Sequence, residues 1–205
     1  MKLYYSPGAC SLGIHLLLEE TGAPYEPVLT NLREGAQFKP EFTALNPKSK
    51  VPTLQRDDGS VLTEFPAIAW WIAASYPEAG LMPATLEGQV RALEATDYAV
   101  ATMHMQGFSR IFRPANFAPS EADHEAVKAR GMEIFRKGFA LMDKALEGRD
   151  YVAGGYSFGD AALFYVSYWA AGRLGMQLPP NVAAHHARMK ARPAVQRVMA
   201  REGIA

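Results

Sequence analysis

The stretch YYSPGACSLG, residues 4–13, holds the only cysteine of the chain and decides how its first third is read. A β-prone pair, Tyr4-Tyr5, runs into the turn residues Ser6-Pro7-Gly8-Ala9, and the apolar run LGIHLLLEETG follows directly. Strand, turn and helix in that order put Cys10 at a helix start. Backbone N–H groups there lack intrahelical partners, and with the helix dipole they favour an anion. At such sites a thiol pKa falls from about 8.5 to roughly 3.5–7.5. The residues alone leave two readings open, a reactive thiol and a small buried hydrophobe.

Outward from this stretch, β-like and helical pieces alternate: KLYY, SLGIHLLLEETG, YEPVLT, VPTLQRDDGSVLT and a helical run from Pro66 to Tyr76. Gly22 ends the first helix, and Asp57-Asp58-Gly59 reads as a hairpin turn. After PEAGLMPAT the texture changes. Apolar residues recur at helical spacing in VRALEATDYAVATMHMQGF, EAVKARGMEIFRKGFALMDKAL and GDAALFYVSYWAAGRL, with breaks at Pro114, at Gly148 to Gly155 and at Pro179-Pro180. The expected organisation is an α/β domain over 1–77, a linker over 78–86 and an all-helical domain over 87–205. Ser157 and Asp160 stand three apart before an apolar run, a capping-box start with Asp in place of Glu.

Composition narrows the function. The 205 residues are 49% hydrophobic, ample for a packed core, and 21 Lys+Arg balance 21 Asp+Glu. No run of like charges is present to track phosphates or anionic lipid, so neither nucleic acid nor a membrane surface is an expected partner. No apolar segment approaches a membrane span, and MKLYYSPG lacks a signal-peptide core, so a cytoplasmic location is expected. One cysteine makes no internal disulfide, and no Cys/His grouping has zinc spacing, so no metal is expected. His185 and His186 are adjacent and point to different sides of a helix, which reads as surface. Trp70-Trp71, Tyr165, Tyr168 and Trp169 read as packing residues of a core or a dimer contact.

The opening MKLYYSPGACSL, the segment ALNPKSKVPTL, DDGSVLTE, the change to helical texture near residue 80 and the Ser157/Asp160 box together resemble the cytosolic glutathione transferases. The bacterial beta class is the nearest match, and the resemblance spans the whole chain. It implies a thioredoxin-like N-terminal domain that holds glutathione, an all-α domain that supplies most of the pocket for a small electrophilic second substrate, and a homodimer. By this resemblance Cys10 lies beside the glutathione sulfur and can form a mixed disulfide with it. Ser11 is a second catalytic candidate at the same helix start. Pro52 matches the family's cis-proline, and Val51 pairs its backbone with the cysteinyl unit. Glu64 meets the γ-glutamyl amino group, Phe65 offers its N–H to the γ-glutamyl carboxylate, and Arg33 and Lys50 are candidates for the glycyl end.

Two positions depart from the family pattern. Phe65-Pro66 stands where Ser, Thr or Gly and a small residue are usual; the lost hydroxyl bond to a charged group is worth roughly 1.5–3 kcal/mol, or about ten- to a hundredfold in affinity. Met105 stands where the beta class has a histidine three residues before a phenylalanine. His104 is adjacent but about 100° away round a helix, so it substitutes only if the helix is rotated or kinked near Gly107. The second-substrate pocket is therefore expected to involve His104, Met105, Phe108 and Phe112. These departures also admit a non-catalytic binding or regulatory protein on the same fold, whereas Cys10, Val51-Pro52 and Glu64 favour a glutathione S-transferase. Maleylacetoacetate isomerase is disfavoured because SPGACSLG lacks its Ser-Ser-Cys signature.

Overall fold

A computed structural model of the chain describes residues 1–205. The β-prone opening forms β1 (Lys2–Tyr5), and the apolar run after Cys10 forms α1 (Ser11–Thr21). Gly22 stops α1 in a left-handed conformation, φ 67°, where a side chain would be strained. β2 (Glu26–Leu29), α2 (Pro40–Leu45), β3 (Thr53–Gln55), β4 (Val61–Thr63) and α3 (Phe65–Ser75) follow. The strand order is β2-β1-β3-β4, with β1 parallel to β2 and antiparallel to β3, and β3 antiparallel to β4. The helical crossover through α1 is what a parallel β1/β2 pair requires. The expected turn is present: Arg56 N–H donates to the Ser60 carbonyl at 2.8 Å across Asp57-Asp58-Gly59. This is a thioredoxin-like mixed sheet. α3 begins at Phe65, one residue earlier than Pro66, because Pro is well accommodated in either of the first two helical positions.

The second part is helical, apart from an isolated bridge between Ala153 and Gly155. α4 (Leu86–Asp97) continues without a break into a π-helix over Tyr98–Phe108 and then α5 (Ser109–Phe112). α6 (His124–Ala145), α7 (Phe158–Tyr168), a π-turn over Trp169–Arg173, α8 (Pro180–Ala191) and α9 (Pro193–Glu202) complete it.

The helix after the cysteine joins the two parts. α1 packs against α3 on one side and against α7 and α9 on the other, burying Leu12, Ile14, Leu16, Leu17 and Leu18 completely. Each such side chain contributes about 1.5–3 kcal/mol of burial. Gly13 permits the approach: a Cβ there would stand 2.6 Å from the Phe65 ring and 2.9 Å from the Ala161 carbonyl oxygen. Phe65, which sequence comparison marked as a departure, thus fills the crossing of α1, α3 and α7 and is itself buried.

The capping box at the start of α7 is formed, and it is larger than expected. The fully buried Asp160 carboxylate accepts from Ser157 N–H at 2.9 Å, Ser157 Oγ at 3.1 Å and Val152 N–H at 3.0 Å. Its Oδ1 also lies 3.0 Å from His185 Nε2. His185 is therefore not a surface residue, as expected from the sequence, but a fully buried partner of Asp160. His186 is turned inward as well, with Nδ1 2.8 Å from Ser167 Oγ and its ring stacked on Phe164. Adjacent helical residues do point apart, and here both directions lead into protein, because α8 is covered by α6, α7 and α9.

Candidate active site

The turn before α1 is fixed by its own backbone and by the helical part. Ser11 Oγ accepts from Ser6 N–H at 3.1 Å and donates to Ser6 C=O at 3.2 Å, and the residue is fully buried. Its hydroxyl is engaged as both donor and acceptor, so Ser11 closes the turn. Gly8 takes φ 61°, and its carbonyl accepts from Trp169 Nε1 at 2.8 Å and from Arg173 Nη2 at 2.6 Å. Its N–H donates to the buried Glu202 carboxylate at 2.7 Å, whose other oxygen lies 2.7 Å from His15 Nδ1. Three side chains from α9 and the π-turn thus hold the segment that delivers Cys10.

Cys10 is uncapped by any side chain and keeps part of its surface open. Its Sγ donates to the Val51 carbonyl at 3.2 Å. Burial pushes this thiol up to about 12, against smaller downward pulls from the Cys10 and Ser11 backbone N–H groups and the Lys50 charge; Glu64 adds to the rise. The expected lowering is reversed. The local helix-start argument was sound in sign, but the loss of water around the sulfur outweighs it.

The loop opposite is built by Asn46, whose buried amide donates to the Lys50 carbonyl at 2.9 Å and to Thr53 Oγ1 at 2.8 Å, while its Oδ1 accepts from Lys48 N–H at 3.1 Å. Those bonds shape the stretch that presents Lys50, Val51 and Pro52. The Val51–Pro52 bond is cis, as expected. Val51 is buried, and Lys50 is exposed within charge range of both Cys10 and His104.

Beyond β4, Glu64 takes φ 71° with ψ 124°, a conformation that side chains seldom adopt and that is typical of functional sites. It leads into α3, whose first-turn N–H groups are free of intrahelical partners. Pro66 has none, so Phe65 and Ala67 supply them. Lys48 Nζ, a residue the sequence did not single out, lies 2.8 Å from Glu64 Oε1 and 2.9 Å from Thr63 Oγ1. Glu64 Oε2 remains available. Cys10, Val51, Pro52, Glu64 and Phe65 are thus brought to one rim.

The helical part closes the other side with an aromatic row. Phe65 meets Tyr165 at 5.3 Å between centroids, Tyr165 meets Trp169 at 4.9 Å, Trp169 stacks on Phe108 at 4.3 Å, and Phe108 stacks on Phe112 at 5.6 Å. His104 joins this row rather than Met105: its Nδ1 lies 3.3 Å from the Tyr165 hydroxyl and its ring 4.7 Å from Trp169. Met105 is 42% exposed and makes none of these ring contacts. The i→i+5 turns of the π-helix change the side-chain phase that 3.6 residues per turn assumes, which is the rotation His104 required. Burial, with Lys50 adding, lowers His104 to about 4, so the ring is neutral at pH 7. Phe112 is 57% exposed at the outer end of the row. Arg33 is exposed, close enough to Arg173 to weaken its hold on a proton. Tyr165, Trp169 and Arg173 were read as packing residues or passed over; the four-residue step from 165 to 169, on one helix face, is the signal that pointed to them.

A surface groove of about 710 Å³ between α4 and α6, lined by Arg91, Tyr98, Leu141 and Val152 among others, contains none of these residues. No group of three metal-ligating side chains is present.

Known proteins similar to this chain identify its family and fold. The model of the glutathione S-transferase N-terminal domain matches residues 8–75. "Glutathione S-transferase GstA" of Escherichia coli O157:H7 is 34% identical over 208 residues, covering 100% of both chains. The solved structure of a sphingomonad glutathione S-transferase complexed with glutathione is 36% identical, with a TM-score of 0.86 and 100% of both chains covered. A bacterial beta class enzyme from Sphingomonas chungbukensis is 32% identical, with the same TM-score and coverage. The chain belongs to the glutathione S-transferase family and has the character of its bacterial beta class.

Proposed function

We propose that the chain is a glutathione transferase in which the rim formed by Cys10, Val51-Pro52, Glu64 and Phe65 holds glutathione for attack on an electrophile. The cysteinyl backbone runs along Val51, the γ-glutamyl ammonium meets Glu64 Oε2, and its carboxylate meets the free N–H groups that open α3. Arg33 and Lys50 face the glycyl end. The observation that carries this reading is the Cys10 to Val51 contact, which sets the sulfur subsite directly against the strand-like edge offered to the peptide. It is supported by the glutathione bound in the sphingomonad relative.

Burial keeps Cys10 protonated, which makes it a donor rather than a nucleophile. On binding, the Cys10 S–H turns from the Val51 carbonyl to the glutathione thiolate, which also receives the backbone N–H groups at the helix start, and lowering the pKa of that bound thiol is the activation required. On an aryl chloride the thiolate forms the S–C bond, chloride leaves with the C–Cl electron pair, and the thiol proton passes to solvent. Mixed-disulfide formation through Cys10 is a minor activity in this reading. The residue boundaries at 77 and 87 and the cytoplasmic location belong to the same proposal, the cytosol being a glutathione-poised compartment.

A homodimer is supported by α4, where Leu86 (75% exposed), Val90 and Leu93 form an uncovered apolar stripe at helical spacing. The test of the function is retention on immobilised glutathione with release by free glutathione, followed by conjugation of 1-chloro-2,4-dinitrobenzene by wild type and Cys10→Ala. Retention and a Cys10→Ala rate within about threefold are expected. A protein that neither binds nor conjugates is the non-catalytic alternative, and a rate abolished in Cys10→Ala returns the thiol to the chemistry.

A further inference from the structure

Six of the thirteen arginines of this molecule are paired with acids. Arg91, Arg130, Arg188, Arg192, Arg197 and Arg201 each stand within 3.0 Å of a carboxylate. Arg173 differs. Its acceptor is the Gly8 carbonyl, one bond among the five N–H donors of a guanidinium, and its charged neighbour is Arg33 rather than an acid. The same guanidinium carbon lies 6.0 Å from the Phe112 centroid and 6.0 Å from the Trp169 centroid, at the edge of the stack that Phe108 completes. Arg113 stands 5.9 Å from Phe112. The three rings are stacked near-parallel, with interplanar angles of 15° and 26°; Phe108 and Trp169 are buried, and the exposed Phe112 alone presents an open face. An open aromatic face beside a cation with donors to spare is complementary to one kind of molecule. A ring covers the Phe112 face, and a carboxylate takes the guanidinium in the paired geometry that suits both.

We infer that the second substrate is a planar aromatic electrophile bearing a carboxylate, its ring on the exposed Phe112 that ends the stack and its anion on Arg173. This rests on the transferase reading above. Because Gly8 couples Arg173 to the turn carrying Cys10, an acid held there places the reacting ring carbon toward the glutathione sulfur.

The test compares 4-chloro-3,5-dinitrobenzoate with its methyl ester. Both react alike: the glutathione sulfur bonds to C4, chloride departs with the C–Cl pair, and the thiol proton goes to buffer. With each rate divided by its uncatalysed counterpart, wild type is expected to favour the acid in kcat/KM. Arg173→Met lowers the acid-to-ester ratio by roughly tenfold or more, Arg173→Lys recovers part of it, and raising the ionic strength lowers it in wild type. A ratio unchanged in Arg173→Met overturns the proposal, and so does a raised KM for glutathione with that ratio constant, which would give Arg173 to glutathione itself. If Arg173→Met fails to fold, Arg173→Lys and the ionic-strength series decide. Tryptophan quenching by unreactive 3,5-dinitrobenzoate, with S-methylglutathione bound, separates the two readings. Arg173-dependent binding without turnover of either chloride leaves the acid site standing and removes the transferase reading. Turnover of the ester with no Arg173-dependent binding does the reverse.

Discussion

Two helix starts in this protein are built from similar materials and used in opposite ways. At the start of α7 buried polar groups converge on one acceptor: the Asp160 carboxylate takes up two backbone N–H groups, a hydroxyl and an imidazole, all out of reach of water. At the start of α1 the N-cap position is a cysteine with no side-chain cap, and at the start of α3 it is a glutamate held at positive φ with a proline following. A saturated helix end stabilises the fold and can bind nothing. An unsaturated one costs stability and leaves donors for a ligand. The difference between them separates the stabilising part of the molecule from the reactive part more cleanly than the boundary between sheet and helices does.

Breaking the saturated end should have the largest effect. Asp160→Ala leaves His185 and two N–H groups buried without their acceptor and is expected to cost about 3–5 kcal/mol, read as a lowered denaturation midpoint, whereas Ser157→Ala costs about 0.5–2 kcal/mol. If Asp160→Ala unfolded at the wild-type midpoint, the knot would not be structural. The unsaturated end predicts the opposite sign. Glu64→Gly relieves the φ of 71° and is expected to raise stability by about 1 kcal/mol while weakening glutathione binding, measured by calorimetry on the same preparation. A variant that is both less stable and full in affinity would contradict the comparison.

The smallest effect is in pH dependence. In the folded state burial, then Lys50, lowers His104 to about 4 from 6.5, and burial lowers His186 to about 4, with Lys190 and His185 adding to the effect. The unfolded chain takes up these protons from about pH 6.5 downward and the folded protein does not, so stability is fully present above that pH. It is lost as pH falls toward 4. His104→Gln is expected to flatten part of that slope, and an identical profile in the variant would show that the ring is already accessible to protons.

Much of the fold was legible because its signals are local. The SPGA turn, the Asp57-Asp58-Gly59 hairpin, Pro52 at a strand head and the Ser157/Asp160 spacing each lie within a few residues of what they control. What failed was decided at a distance. Cys10 was placed correctly at a helix start, but the burial that raises its pKa comes from residues such as Val51, outside its own helix. His185 was read as surface because nothing near it in sequence reveals that Asp160 needs a fourth partner. His104 faces the site through a π-helix, which the period of the sequence did not disclose. Arg173 drew no attention because a lone arginine in an apolar run is informative only once its missing carboxylate can be seen.

The tie between Glu202 and Gly8 also bears on when the protein becomes competent during its synthesis. The two residues are 194 positions apart, yet the carboxylate of one fixes the peptide that aims Cys10 at its partner loop. A ribosome making this chain has finished the entire sheet long before α9 exists, and domains fold as they emerge. The sheet can therefore assemble early with its cysteine turn still loose. The turn is locked only after almost the last helix has cleared the ribosome and docked, so a half-made chain carries the sequence of the thiol site without its geometry.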